Sequence, residues 1–277
     1  MVTRKLCPML ALVAGCGGGG GDKQLPDAGP IKCLTATDRT VACTVTIKPE
    51  LRQFETMATP TAPVQLAYNT AWDVPQHFPV ECPPLATEIA NASNGFAPPF
   101  TMVSCASSLP RIAMLMADDV IGQGDRFALS VNDKRIPPDS GSGRTIDPMR
   151  TYVVDRSTLE RWQSAIGLSG LNWTHYGMVV LMYRDAAGNA VPGVVPTKQV
   201  AAGQDPVLRP GTDVFFLSDD RMSVVVGATA TTASGAVLIP RVGGLSIDVS
   251  GTVGAGFETV GVAAPAGAVF FEHCDKP

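Results

Sequence analysis

Long apolar runs are missing from this 277-residue sequence. No stretch reaches the ~20 consecutive apolar residues that a membrane-spanning helix needs, which excludes an anchor of that kind. Histidine is scarce as well: His77, His175 and His273 stand far apart, with no His-Glu-x-x-His run and no Cys-x-x-Cys pair beside them. A metal centre is therefore not expected, and neither is a cofactor. The Gly-x-Ser-x-Gly elbow of a serine hydrolase is absent too, because Ser140-Gly141-Ser142-Gly143 falls in a turn-rich stretch rather than between a strand and a helix. No catalytic set is assigned. Charged residues make up only 17% of the chain and the formal charge is −4, which argues against nucleic acid and against a polybasic membrane patch.

What is present begins at the N-terminus. Arg4 and Lys5 form a positive head, and Leu6 to Val13 form a short apolar core. The run Val13, Ala14, Gly15, Cys16 that follows resembles the lipobox of bacterial lipoproteins. The resemblance implies a signal peptide over residues 1–15, cleavage before Cys16, and a diacylglycerol on its thiol. Two or more acyl chains, at about 0.8 kcal/mol per buried methylene, hold a protein on a bilayer almost irreversibly. Residue Gly17 stands where an aspartate often retains such proteins in the inner membrane, so the expected location is the cell envelope at the outer membrane. Residues 16–30, with the glycines Gly17 to Gly21 followed by Pro26, Gly29 and Pro30, carry no apolar periodicity and read as a flexible spacer. No strand precedes these glycines and no Gly-Lys-Ser/Thr follows, so they are not a phosphate loop.

Downstream, short β-branched and apolar runs recur between turn clusters. Strands are expected over Thr40 to Ile47, Val64 to Tyr68, Phe100 to Cys105, Arg111 to Ala117, Gly177 to Arg184, Asp213 to Leu217, Ala236 to Ile239, Leu245 to Val249 and Ala268 to Phe271. Asn94-Gly95, Ala187-Gly188-Asn189 and Ser234-Gly235 supply the positive φ that hairpins require. The expected class is all-β: two Ig- or transthyretin-like β-sandwich domains, over 31–132 and 151–277, with a short connecting helix. Pro137-Pro138, Gly141, Gly143 and Pro148 mark 133–150 as the linker between them. The helix follows, with Ser157 and Glu160 at capping-box spacing, Leu159, Trp162 and Ile166 on one face, and Gly167 as its C′ residue. Packing against a sheet outweighs a ligand-platform role for Trp162 by about four to one.

Gly177 to Val180, then Asp185-Ala186-Ala187-Gly188-Asn189-Ala190-Val191-Pro192-Gly193-Val194, resemble the opening of a carboxypeptidase regulatory-like domain. Thr231-Thr232-Ala233-Ser234-Gly235-Ala236-Val237 is similar to that family's later hairpin, with its acidic and aromatic positions replaced. The resemblance implies a seven-stranded transthyretin-like sandwich and brings no catalytic residues. A divergent copy is suspected in the first domain, with Thr40 to Ile47 as its opening strand, Pro63-Val64-Gln65-Leu66 after it and Asn94-Gly95-Phe96 as its later hairpin.

Once Cys7 leaves with the signal and Cys16 is acylated, Cys33, Cys43, Cys82, Cys105 and Cys274 remain in an oxidising compartment. A hairpin turning at Ser93-Asn94 sets Cys82 opposite Cys105, whereas a turn at Asn94-Gly95 puts them on a diagonal. Cys33 to Cys43 is the competing or coexisting bridge. His273 and Cys274 point to opposite faces of a strand and cannot form a dyad. Asp118-Asp119 and Asp219-Asp220 read as solvated turn residues more than as calcium ligands. Trp72, Trp173 and Tyr176 read as packing more than as a sugar shelf. The function expected is a non-catalytic binding or structural module tethered through its lipid, whose partner is an envelope protein or polysaccharide. The alternative is a carbohydrate-active or other hydrolase accessory subunit.

Overall fold

A computed structural model describes residues 44–72, 86–90, 100–103, 111–120, 125–136, 144–168, 176–198, 208–242, 247–253, 256–262, 264 and 267–276. Strands fill most of them. In the first half these are β1 (Thr44–Gln53), β2 (Val64–Trp72), β3 (Ala86–Ala90), β4 (Phe100–Val103), β5 (Arg111–Asp119), β6 (Phe127–Ala128), β7 (Ser130–Ile136) and β8 (Arg144–Asp155). One sheet has the order β4-β1-β8-β6, and β7-β5-β2-β3 lie side by side in a second that packs on it. Ile47, Leu51, Leu66, Leu115, Phe127 and Val153 of these strands are all buried.

The helix α1 (Arg156–Ala165) follows directly on β8. After it come β9 (Tyr176–Arg184), β10 (Val195–Lys198), β11 (Phe215–Phe216), β12 (Ala236–Val242), β13 (Ile247–Thr252), β14 (Val260–Val262) and β15 (Val269–Asp275). They make a sandwich in which β11-β12-β9-β15 face β10-β13-β14. Between the two layers, Val179, Leu181 and Tyr183 of β9 meet Val194, Val249 and Val262. The all-β sandwich class expected from the sequence is the one observed.

The two sandwiches share a sheet. β15 pairs in parallel with β9 on one side (Val269↔Met178 to Asp275↔Arg184) and with β7 on the other (Val269↔Ser130 to Phe271↔Asn132). Eight strands, β11-β12-β9-β15-β7-β5-β2-β3, thus run without a break across both halves. The second face of the shared sheet carries its own apolar cluster: Met178, Val180, Leu238, Val269 and Phe271 pack under Leu159 and Trp162 of α1, with Phe54 and Tyr152 from the first half. Phe54 is fully buried, its ring 5.2 Å from that of Phe271 and 5.9 Å from those of Tyr152 and Trp162. Strands buried on both faces read as continuous apolar runs, which is the pattern of Met178 to Tyr183.

Several expectations are corrected. The stretch 133–150 is not a linker where it is described, since β7 continues to Ile136 and β8 begins at Arg144; α1 is what separates the two sets of strands. Pro148 lies at a register shift in the parallel β1–β8 pairing, between Ile47↔Ile146 and Pro49↔Met149, where a proline does least harm to a ladder. The suspected duplication does not appear as a free-standing copy, because β2, β5 and β7 extend the sheet of the second sandwich. β3 pairs with β2 and β4 pairs with β1, in different sheets, so among the described residues 86–90 and 100–103 do not form the hairpin ladder that was expected to set Cys82 opposite Cys105. Cys33, Cys43, Cys82 and Cys105 lie outside the described residues, as does the Asn94-Gly95 turn. Asp118 and Asp119 end β5 rather than occupy a turn.

The helix departs from expectation at its start and agrees at its end. Asp155, not Ser157, is the N-cap, and its side chain makes no cap bond. Leu159 and Trp162 are buried and Ile166 packs beside them, and Trp162 donates its Nε1–H to the Arg221 carbonyl at 3.2 Å. At the far end Gly167 has φ +76, its N–H reaches Ser164 and that of Leu168 reaches Gln163, the Schellman pattern.

Phe54→Ala should cost about 3–5 kcal/mol in urea unfolding, because it empties the cluster that joins the halves. Residues 150–277 alone should unfold at lower denaturant than the whole chain, having lost β7 and Phe54. Equal midpoints would show that the shared sheet contributes nothing.

Candidate functional site

A group of ionisable side chains surrounds the start of α1. A shallow cleft of about 400 Å³ is lined there by Asp125, Arg126, Asp155, Arg156, Ser157 and Glu160. Arg126 Nε meets Asp155 Oδ1 at 3.1 Å and its Nη1 donates to Thr61 at 2.8 Å, while Arg156 pairs with Asp125. Gln53 donates to the second Asp155 oxygen at 2.7 Å. The Asp155 carboxylate is thereby held by two side chains and is not free to cap its own helix.

Glu55 takes over part of that task. Its Oε1 accepts the Asp155 backbone N–H at 2.8 Å, the bond that a glutamate three residues into a helix makes in a capping box. The donor of this contact is a hundred residues away in sequence, and no local motif announces it. Burial pushes the Glu55 carboxyl above its ordinary range, against backbone hydrogen bonds that favour the charged form. Its Oε2 is buried without a hydrogen-bond partner. Asp119 is raised too, chiefly by burial, and its Oδ2 accepts the Phe127 N–H at 3.0 Å.

The two segments that resemble the carboxypeptidase regulatory-like motif meet in space. Asp185 closes its turn by accepting the N–H groups of Ala187 at 2.9 Å and Asn189 at 2.8 Å, with Gly188 at φ +83. These bonds hold the Asp185 carboxyl below its usual range. Thr231 then staples the next segment, its Oγ1 donating to the Val191 carbonyl and accepting from Val194 N, both at 2.9 Å. Gly235 passes so close to β9 that a Cβ would stand 2.8 Å from the Tyr183 carbonyl oxygen, and its φ is +64. Only glycine fits there.

A third feature escaped the sequence reading. Arg221 has φ +62 and its guanidinium carbon lies 5.7 Å from the centre of the Phe54 ring. The neighbouring acids serve the backbone of their own loop, Asp219 accepting from Ala233 N at 2.9 Å and Asp220 from Met222 N at 3.0 Å, as expected of turn residues.

On β15, His273 lies against the Tyr152 ring at 5.8 Å, while Cys274 points into the opposite core cluster, where its thiol donates to the Glu258 carbonyl at 2.9 Å. Burial pushes that thiol up to about 12. The pair is divided between the two faces of the strand. Among the described residues no group of three or more His, Cys, Asp or Glu side chains is arranged to hold a metal, and no helix is long and apolar enough to cross a membrane. Cys16 and Trp173 lie outside the described residues. Trp72 ends β2, and Tyr176, half-buried, opens β9.

No family model matches the chain, and no curated protein does. Among solved structures it is similar to the Bacillus anthracis TIE protein, at 9% identity and a TM-score of 0.25 over 83% of this chain. The chain spans 33% of that protein's length. It is also similar to the shaft pilin SpaA of Lactobacillus rhamnosus GG, at 11% identity and a TM-score of 0.26, covering 86% of this chain and 99% of the pilin. A family 26 carbohydrate-binding module of Eubacterium rectale Amy13K matches at 11% identity and 0.22, over 84% and 94%. Similarities this loose carry no function across.

Glu55→Gln should flatten part of the pH dependence of stability. A carboxyl raised in the folded state contributes stability that is present below about pH 4.5, its unfolded value, and is lost as pH rises through the folded value. Glutamine keeps the acceptor for Asp155 N–H without the buried charge. Thermal unfolding from pH 4 to pH 8 should therefore favour the variant increasingly with pH; a constant difference would remove the assignment.

Proposed function

We propose that the chain is a lipid-anchored module of the bacterial envelope, held through Cys16 and acting by binding or spacing rather than by catalysis. The observation that carries this reading is where the charged groups go. Arg184 grips Asp275 through two bonds of 2.8 and 2.9 Å, Arg209 closes on Asp213, and Asp185, Asp219 and Asp220 tie down their own turns. These groups fasten strand ends and loops; they do not converge on one reacting centre of the kind that nucleophilic or acid–base chemistry requires.

Location rests on the N-terminal sequence. The lipobox-like Val13-Ala14-Gly15-Cys16, the glycine-rich spacer to Pro30, and Gly17 in place of an aspartate support a tether at the outer membrane. The glycine-rich spacer, at about 5–6 Å times the square root of its length, would stand the first sandwich roughly 20 Å off the lipid. Among the described residues, the raised Glu55 carboxyl beside the Asp155 carboxyl is the arrangement that favours an accessory hydrolase subunit, since paired carboxyls are the raw material of acid–base catalysis. Its burial and its bond to the Asp155 backbone support a structural role instead.

Cys16→Ser is the deciding variant. Metabolic labelling with an alkyne fatty acid should mark the parent and not the variant, and the variant should move to the soluble envelope fraction with its β-type circular dichroism intact. Full retention of the unlabelled variant in membranes would end the lipoprotein reading.

A further inference from the structure

The turn that follows β1 inserts two consecutive side chains into the protein. Gln53 N–H on the Ala58 carbonyl and Met57 N–H on the Gln53 carbonyl, both at 2.8 Å, close it into a compact loop. The Phe54 N–H ties that loop to the Val153 carbonyl of β8, also at 2.8 Å. Phe54 enters the cluster that joins the two halves, and Glu55 enters beside the start of α1. Both are buried. The fit strains the backbone, because Met57 stands at φ +57, a left-handed conformation that residues other than glycine rarely adopt.

Glu55 is the less well satisfied of the two. One oxygen accepts the Asp155 N–H at 2.8 Å, while Oε2 is buried without a hydrogen-bond partner. A buried carboxylate with an unmet oxygen costs far more than a buried neutral carboxyl. The charged groups on the surrounding elements do not offset that cost. Asp155 of β8 is a like charge, and Arg126, just before β6, is engaged with it. Arg156 of α1 pairs with Asp125, Arg161 donates to Thr158, Arg52 of β1 pairs with Glu50, and Arg221 lies over the Phe54 ring. Among the described residues none of these arginines is paired with Glu55. A strained turn thus holds its aromatic residue in the joint together with a carboxyl that is better neutral than charged.

We propose that the turn from Gln53 to Ala58 is an acid-closed latch between the two sandwiches: with Glu55 neutral it stays shut on Phe54, and with Glu55 charged it opens locally while the sheets stay folded. The latch depends neither on the lipid anchor nor on any ligand. Burial raises the Glu55 carboxyl in the closed loop, and in the open loop it returns towards its ordinary value of 4.5. Closure is therefore favoured fully below about pH 4.5 and loses ground as the pH rises through the closed-state value, by at most about tenfold in population per pH unit. Two further groups titrate nearby. Asp119 of β5, beside Asp125 and Arg156, accepts the Phe127 N–H, so its proton reports at Phe127. His273 of β15 lies against the Tyr152 ring, and histidine changes charge in the same range.

The test is amide hydrogen exchange on the full chain between pH 4.5 and pH 8, each rate divided by its intrinsic value at that pH. Protection of the Phe54 and Met57 N–H groups should fall by about tenfold or more across the range, while the amides of β9 and β12 hold level. In Glu55→Gln, which cannot ionise, protection of the same two groups should not change with pH. His273→Gln and Asp119→Asn should each keep the slope of the parent. Flat protection at Phe54 and Met57 in the parent, or an undiminished slope in Glu55→Gln, overturns the latch. So does an equal fall in β9 and β12, which would be global unfolding, and so does a slope that vanishes in His273→Gln or Asp119→Asn. If Glu55→Gln does not fold, the parent and the other two variants still decide by the same criteria.

Discussion

Everything else in the structure depends on where β15 goes. By lying in parallel between β9 and β7 it supplies, among the described residues, the register that joins the two halves, and both of its faces are covered. Val269 and Phe271 enter the cluster under α1, whereas Phe270 and Cys274 enter the core of the second sandwich. A strand buried on both sides has no solvated face to tolerate substitution. The central position also removes an edge that would otherwise sit open beside β9.

This arrangement explains which parts of the fold were legible in the sequence. Met178 to Tyr183, Ala236 to Ile239 and Val269 to Phe271 are continuous apolar runs and stand out as strands. Leu159, Trp162 and Ile166 show their helix by spacing, and Gly167 its end. β8 did not stand out, because Asp147 and Pro148 look like loop chemistry until the parallel partner and its register shift are known. Parallel pairings between strands far apart in the chain leave no turn signature, so the merging of two sandwiches into one sheet could not be read locally. The hairpin argument for Cys82 and Cys105, which lie outside the described residues, assumed that neighbours in sequence pair, whereas β3 and β4 part to different sheets.

The candidate sites were legible to different degrees. The Asp185 turn and Gly235 each carry a local turn signature, and Thr231 ties its own segment to Val191 and Val194. Glu55 and Arg221 were not visible, since each acquires its role from residues distant in the chain: Asp155 for the first, Phe54 and Trp162 for the second. Side chains that close a tertiary contact carry no spacing rule of their own.

The same topology bears on how the chain folds. Val269 pairs with Ser130, and that contact closes a loop of about half the chain, so the chain-entropy cost falls before the central sheet is rewarded. Phe54 waits as well, because its ring neighbours include Phe271 of the last strand. The first sandwich can gather β1, β2, β5 and β8 earlier, but its β7 keeps an open edge until β15 arrives. An open edge is where strands of other chains pair. A chain of this design is safest when it is kept apart from its copies until the last strand is available.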